Sequence, residues 1–261
     1  MSLRTVFKST GAHPRGGEPI IRFDHVAVRY RVPHERIGSF KEYAIKRLQG
    51  RINHQEFWAL RDVTLQIAPG EIFGIIGRNG AGKSTLLKVI SRVLHPTRGR
   101  VWVRGHVVPL LELGAGFHPE LTGHENVFLN GTLLGHSKRE ILERLGEILD
   151  FAGLGDFIGA PLRTYSSGMV ARLGFAVAMA WQPDVLLLDE ILAVGDEAFQ
   201  RKCLDRIALY CDSGATVVLV THDMSVVHAL CPKAVWIDQG RVQSAGPSAD
   251  VVRDYARAAQ A

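Results

Sequence analysis

Cysteine is scarce in this sequence: Cys203, Cys211 and Cys231 are the only three among 261 residues, and none falls in a C-x-x-C pair. That argues against a disulfide scaffold and against a zinc site, and it suits a reducing compartment. Long hydrophobic runs are missing as well. The longest candidate, Leu173 to Pro183, has 11 residues between Arg172 and Asp184, short of the roughly 18 that a spanning helix needs. The N-terminus is polar and lacks the apolar run of a signal peptide. The sequence therefore predicts a chain that does not cross a bilayer by itself. Internal repeats and low-complexity tracts are absent, and 46% hydrophobic residues suffice for a real core, which excludes disordered and collagen-like classes.

Acidic and basic residues nearly balance, 26 against 31. Their placement is uneven. Residues 1 to 57 hold 11 Lys and Arg against 5 Asp and Glu, a net of +6, so the other 204 carry 5 − 6 = −1. A basic end admits either nucleic acid or an anionic membrane as partner.

Met1 to Pro19 is rich in Gly and Pro and reads as a flexible leader. Strand character follows over Ile20 to Tyr30 and Trp58 to Ile67, then over Glu71 to Gly77, a mostly apolar and therefore buried strand. Lys83 to Leu94 is predicted helical, Arg100 to Val108 a strand, and Glu140 to Ala152 and Met169 to Trp181 helices. Further on, Val185 to Leu188, Thr216 to Val220 and Ala234 to Ile237 read as strands, with a helix over Met224 to Cys231. Strands alternating with helices predict an α/β fold with a mostly parallel sheet. Residues 117 to 182 lack clear strands and read as a helical subdomain inserted in it.

Gly77-Arg78-Asn79-Gly80-Ala81-Gly82-Lys83-Ser84 matches G-x-x-x-x-G-K-[ST]. At this composition roughly 0.01 accidental matches are expected in the whole chain. A buried strand leads in and a helix leads out, as the mechanism requires. The glycines permit a tight loop whose N–H groups cradle phosphates. Lys83 would reach the β- and γ-phosphates, Ser84 would ligate Mg²⁺, and Thr85 would add a phosphate contact. Val185 to Glu190, V-L-L-L-D-E, ends an apolar strand in two carboxylates. Such an ending is commonplace alone. Beside a phosphate loop, Asp189 would hold the hydrated Mg²⁺ and Glu190 would act as general base. Tyr165 to Met169, Y-S-S-G-M, places a serine cap and a glycine at a helix start. Thr221-His222-Asp223 closes another strand, from which His222 could reach a γ-phosphate.

These elements in this order resemble the ATPase subunit of ABC transporters, over about residues 20 to 245. The resemblance implies a P-loop NTPase fold with an antiparallel β subdomain and a helical subdomain, ATP and Mg²⁺ as ligands, and a head-to-tail homodimer. It implies that Ser166, Ser167 and Gly168 contact the nucleotide bound to the partner's P-loop. Asp196 would lie at the dimer interface and His222 would act as the switch histidine, beside Glu190 in catalysis. Tyr30 is the first choice for stacking on adenine, with Phe57 and Trp58 as alternatives.

Two departures narrow the family. Ser167 and Met169 replace a glycine and a glutamine of the usual signature, and no Gln occurs between Lys83 and Thr122. Glu112 is the candidate to take the missing glutamine's place toward Mg²⁺. With L-E-L-G-A-G-F-H-P-E-L-T-G and L-A-V-G-D-E-A-F, the chain resembles the branch that exports O-antigen, capsule and teichoic acid. That implies an integral membrane permease as partner, a lipid-linked glycan as substrate, and a peripheral place on the cytoplasmic face of the inner membrane. Similar exporters carry a helix between the first two strands. Here residues 31 to 57 place Ile37, Phe40, Ala44 and Leu48 at helical spacing among basic residues, which predicts a membrane-surface contact. Residues 246 to 261 read as a C-terminal helix or tail, too short for the carbohydrate-binding domain of many O-antigen exporters. Either such a domain is absent or the sequence is a piece of a longer protein. The alternative, a soluble ABC-type ATPase acting on nucleic acid or ribosomes, would also suit a basic N-terminus.

Overall fold

The computed structural model describes residues 17–33, 54–110, 113–189 and 195–259. Two sheets organise them. Strands β1 (Ile21–Pro33), β2 (His54–Ile67) and β4 (Arg98–Val103) form an antiparallel sheet in the order β2-β1-β4. The second sheet has the order β5-β6-β7-β3-β8-β9, built from β3 (Ile72–Ile76), β5 (Val107–Pro109), β6 (Val185–Asp189), β7 (Thr216–Val220), β8 (Lys233–Asp238) and β9 (Arg241–Pro247). All its pairings are parallel except β8 with β9.

The apolar run of β3 is explained by its place between β7 and β8, where all five residues are buried. Its side chains alternate faces. Ile72 and Ile76 join Phe175, Leu186, Phe199 and Ile207 on one side. Phe73 and Ile75 join Phe23, Leu60, Leu86 and Ile90 on the other. The antiparallel sheet and helix α1 (Lys83–Ile90) thus cover one face of the parallel sheet. Glu71, just before β3, is buried, and its carboxylate meets Lys233 Nζ at 3.0 Å.

A third cluster, with Val127, Ile141, Ile148, Leu173 and Val177, holds helices α2 (Gly123–Leu133), α3 (Lys138–Ala152) and α4 (Ser167–Ala178) together. Capping boxes start α2 at Thr122/Glu125 and α3 at Ser137/Glu140. Helix α4 is buried from Leu173 to Ala178 because it touches both this cluster and the sheet. Helix α5 (Glu197–Asp212) packs on the sheet, α6 (Met224–Leu230) precedes β8, and α7 (Ser248–Ala259) lies against β8 and β9.

The single strand predicted over Arg100 to Val108 is a correction. Gly105 (φ 81°) divides it, sending β4 to the antiparallel sheet and β5 to the parallel one. A side chain at Gly105 would collide with Asp184, whose carboxylate accepts the His106 N–H at 2.7 Å. Helix α1 also ends earlier than Leu94, because Arg92 turns left-handed (φ 61°). The amphipathic helix predicted between β1 and β2, with Ile37, Phe40, Ala44 and Leu48, lies outside the described residues, as do Glu112 and Glu190. Among the described residues no helix is long and apolar enough to cross a membrane.

Candidate nucleotide-binding site

The loop after β3 is shaped by glycine. Gly77, Gly80 and Gly82 have φ of 152°, 79° and 110°, values that L side chains rarely adopt. Two of them also face backbone. A Cβ on Gly82 would stand 2.6 Å from the Ala59 carbonyl, and one on Gly77 would strike the Ile237 carbonyl. Arg78 and Asn79 are exposed, whereas Ala81 is buried and anchors the loop. Gly82 caps α1 without any side chain, so the first N–H groups of that helix point at whatever fills the loop. Lys83 Nζ donates to the Gly77 and Arg78 carbonyls at 2.8 and 3.1 Å, which holds its ammonium across the loop. Ser84 is exposed and Thr85 half-buried on the first turn of α1. A cradle that a Cβ would fill, lined by N–H groups and one ammonium, fits a phosphate chain.

The sheet order brings the other polar strand ends to the same edge. Strand β7 lies beside β3, and β6 lies beside β7, all parallel. Their carboxyl ends therefore line up as the phosphate loop, then Thr221-His222-Asp223, then Asp189, where open α/β sheets bind ligands. Asp189 pairs in register with Val220 and is half-buried. Asp223 caps α6, with its carboxylate accepting from Ser225 N at 2.8 Å, while Thr221 Oγ1 accepts the Asp223 N–H at 3.0 Å. These bonds fix the backbone around the exposed His222. The Ser84 hydroxyl and the Asp189 carboxylate are both oxygen donors, as Mg²⁺ requires.

On the opposite side of the loop, a cavity of about 260 Å³ is lined by Phe57, Trp58, Gly80, Gln239 and Gly240, among others. Tyr30, the first choice of the sequence reading, is not among its lining residues. It pairs across the strands with Phe57, and its half-buried ring packs on the core. Trp58 has the guanidinium groups of Arg29 and Arg98 over its ring at 5.4 and 5.3 Å. Phe57 is 54% exposed and lines the cavity beside Trp58. Gln239 and Gly240 were missed in the sequence. Gly240 N donates to Ala81 O at 2.9 Å and Gly240 O accepts from Arg61 N at 2.7 Å, so this turn props the phosphate loop. A Gln-Gly pair between two strands was the available signal.

Ser166 caps α4 by accepting the Met169 N–H at 3.2 Å, and Ser166 and Ser167 are exposed. The Tyr165 hydroxyl donates to Phe157 O at 2.6 Å. No hydrogen bond or ion pair among the described residues joins Ser166, Ser167 or Gly168 to Gly77–Thr85. Within one chain, the structure gathers the phosphate loop, Asp189 and His222 along one edge, while Ser166 and Ser167 are exposed on the helical side and Gly168 is half-buried. Asp196 caps α5 through Phe199 N at 2.8 Å and is also exposed. The three cysteines are buried, and burial pushes their thiols up to about 12, which removes them as nucleophiles.

Comparison with known proteins agrees with this geometry. Residues 60–193 match the ABC transporter family. The chain is 43% identical to the O-antigen export system ATP-binding protein RfbB of Klebsiella pneumoniae, over 92% of this chain and 98% of that one. It is 44% identical to the RfbB protein of Myxococcus xanthus over 94% of this chain and 57% of the relative. The teichoic acids export ATP-binding protein TagH of Bacillus anthracis is 37% identical over 90% of this chain and 42% of its own length. Among solved structures, the ATP-binding cassette MJ0796, a dimer bound to ADP and Pi, is 25% identical with a TM-score of 0.65, covering 87% of this chain and 98% of that chain. The conjunction of phosphate loop, strand-end acid and serine-capped helix, in one fold and with these relatives, places the chain in the family of ABC transporter ATP-binding proteins.

Proposed function

We propose that this chain is the ATP-hydrolysing subunit of a transporter that exports a lipid-linked polysaccharide, acting as a homodimer beneath an integral membrane permease. The observation that carries the reading is the match to an O-antigen export ATP-binding protein over nearly the full length of both chains. The three relatives compared are all export ATP-binding proteins by name, which leaves the nucleic-acid alternative without support.

The residues divide the work as follows. The loop N–H groups and Lys83 bind and orient the β- and γ-phosphates. Ser84 and Asp189 hold Mg²⁺, which when bound neutralises charge developing on the transferred phosphoryl group. Glu190, next in sequence after Asp189, accepts the proton of the attacking water. His222 reaches the γ-phosphate from the end of β7. Phe57 stacks on adenine. The exposed Ser166–Gly168 cap of one protomer donates to the nucleotide held by its partner, so two chains enclose two ATP molecules. ATP binding closes the dimer, hydrolysis reopens it, and the permease follows.

The basic segment of residues 31 to 57 orients the subunit on the cytoplasmic membrane face. At about 1 kcal/mol per basic residue near anionic lipid, the net of +3 in this segment, 6 Lys and Arg against 3 Asp and Glu, gives at most ~3 kcal/mol before screening. That orients a protein without anchoring it. Reversing the charges of Lys46, Arg47 and Arg51 is expected to reduce export in cells while leaving soluble ATPase activity intact; unchanged export would refute the contact. For the core reading, Glu190→Gln should abolish phosphate release and trap an ATP-bound dimer on size exclusion. Robust turnover by that variant would overturn the assignment.

A further inference from the structure

Arg172 lies on α4, less than two turns beyond the Ser166 cap, and its guanidinium is the meeting point of three helices. Its Nε donates to the carbonyl of Ala152 at 3.0 Å, and Nη2 to that of Gly153 at 3.4 Å, both at the C-terminal end of α3. The guanidinium plane sits 4.9 Å over the ring of Phe199 on α5. Its Nη1 stands 3.7 Å from the Asp196 carboxylate. The aliphatic stem is equally confined, since a Cβ on Gly195 would come within 3.3 Å of Arg172 Cγ.

The contact with Asp196 is part of a closed figure. Asp196 Oδ1 accepts the Phe199 N–H at 2.8 Å, while Phe199 receives the same guanidinium on its face. Phe199 is itself fixed, packed edge-on to Phe151 of α3 and Phe175 of α4. The Arg172 side chain is 24% exposed, whereas that of Asp196 is 65% exposed. The ion pair alone is long and half in water, and it is worth little. The fork of donors, the stacking and the confined stem make the position of Arg172 definite. Asp196 is held against this fixed point.

We propose that Arg172 is a positioning residue that makes the Ser166–Gly168 cap and the Gly195-Asp196 segment one rigid face, so that both meet the partner protomer together. This inference rests on the head-to-tail dimer reading above. Arg172 touches neither the phosphate loop nor the adenine cavity. Its loss should therefore weaken closure of the dimer and leave binding of ATP to the monomer unchanged.

The experiment is ATP-dependent dimerisation of the full chain in the Glu190→Gln background, followed by size exclusion, beside the affinity of a fluorescent ATP analogue for dilute monomer. Arg172→Met should raise the ATP concentration for half-dimerisation about ten-fold, equivalent to about 1.4 kcal/mol, with analogue affinity within about two-fold. Arg172→Lys keeps the charge and loses the planar fork, and it should fall between the two. Asp196→Asn, which keeps the cap and loses the charge, should be non-additive with Arg172→Met. An unchanged half-dimerisation point in both Arg172 variants overturns the proposal. So does a parallel loss of monomer affinity and thermal midpoint, which would make Arg172 a packing residue only. If Glu190→Gln itself forms no ATP-dependent dimer, the underlying reading falls and this inference falls with it.

Discussion

The phosphate loop and the Ser166–Asp196 face are both built on helix N-termini, and they treat the free N–H groups in opposite ways. Helix α1 begins at Gly82 with no side-chain cap, so its N–H groups remain available for an anion. Helices α4 and α5 begin with Ser166 and Asp196, whose side chains already accept from the third residue on. The first site is recessed between β3, the Ala59 carbonyl and the β8–β9 turn. The second is exposed at Ser166, Ser167 and Asp196. The phosphate loop is completed within the chain, whereas Ser166 and Asp196 contribute to catalysis only in the dimer proposed above.

The hardest way to break this comparison is to mix defects. Lys83→Ala should reduce ATPase activity by at least about 100-fold, since it removes the charge that meets the developing phosphoryl negative charge. Gly77→Ala should be as damaging, because its Cβ would strike the Ile237 carbonyl. Ser166→Arg should be inactive too, by blocking the face and not the loop. Mixing Lys83→Ala with Ser166→Arg then places two good halves in one site of each mixed dimer. Activity should reappear, up to about a quarter of wild type if exchange is statistical and sites act independently. Two chains that remain dead when mixed would show that each active site is contained in one protomer.

The fold was legible where local chemistry and global position agree. Glu71 to Gly77 is apolar because it is central, and its loop glycines are demanded by backbone approach, so both were readable from residue type. The division at Gly105 was not, because it depends on Asp184, which is 79 positions away. Helix α2 went unread because its buried set is Gly123, Asn126, Val127, Asn130 and Gly131, which gives no apolar stripe. Asn126 is buried because its side-chain amide ties down the carbonyls of His118, Leu121 and Thr122. Within the site, Lys83, Asp189 and His222 stand where strand-end logic puts them. For the adenine contact, β1 and β2 pair Tyr30 with Phe57, and exposure, which pairing alone does not reveal, is the ground on which Phe57 is proposed.

That contact gives the next prediction. Base stacking on an aromatic ring is worth about 1–3 kcal/mol, so Phe57→Ala should raise the KM for ATP by about ten-fold with kcat little changed. Tyr30→Leu preserves core packing and should leave KM within about two-fold. The reverse ranking would return adenine to Tyr30 and make the cavity beside Gly80 incidental.

The smallest effect tests the capping contrast itself. Glu140 accepts from Ser137 N at 2.7 Å and Ser137 Oγ at 2.6 Å, and these bonds hold its carboxyl below the ordinary 4.5. Glu125 is lowered in the same way by Thr122. A lowered pKa in the folded state means that stability is present above pH 4.5 and is lost as the pH falls through the folded value. Glu140→Gln retains an acceptor and loses the charge, so it should lower the thermal midpoint slightly at pH 7. That difference should vanish well below pH 4.5, where the wild-type carboxyl is protonated too. Helix α1 has no acidic residue in its first turn, so the helical subdomain should loosen in acid before the phosphate loop does. Hydrogen exchange followed as the pH is lowered well below 4.5 is the direct measurement: faster exchange in α1 than in α2 and α3 would reverse the assignment of the acid-sensitive caps.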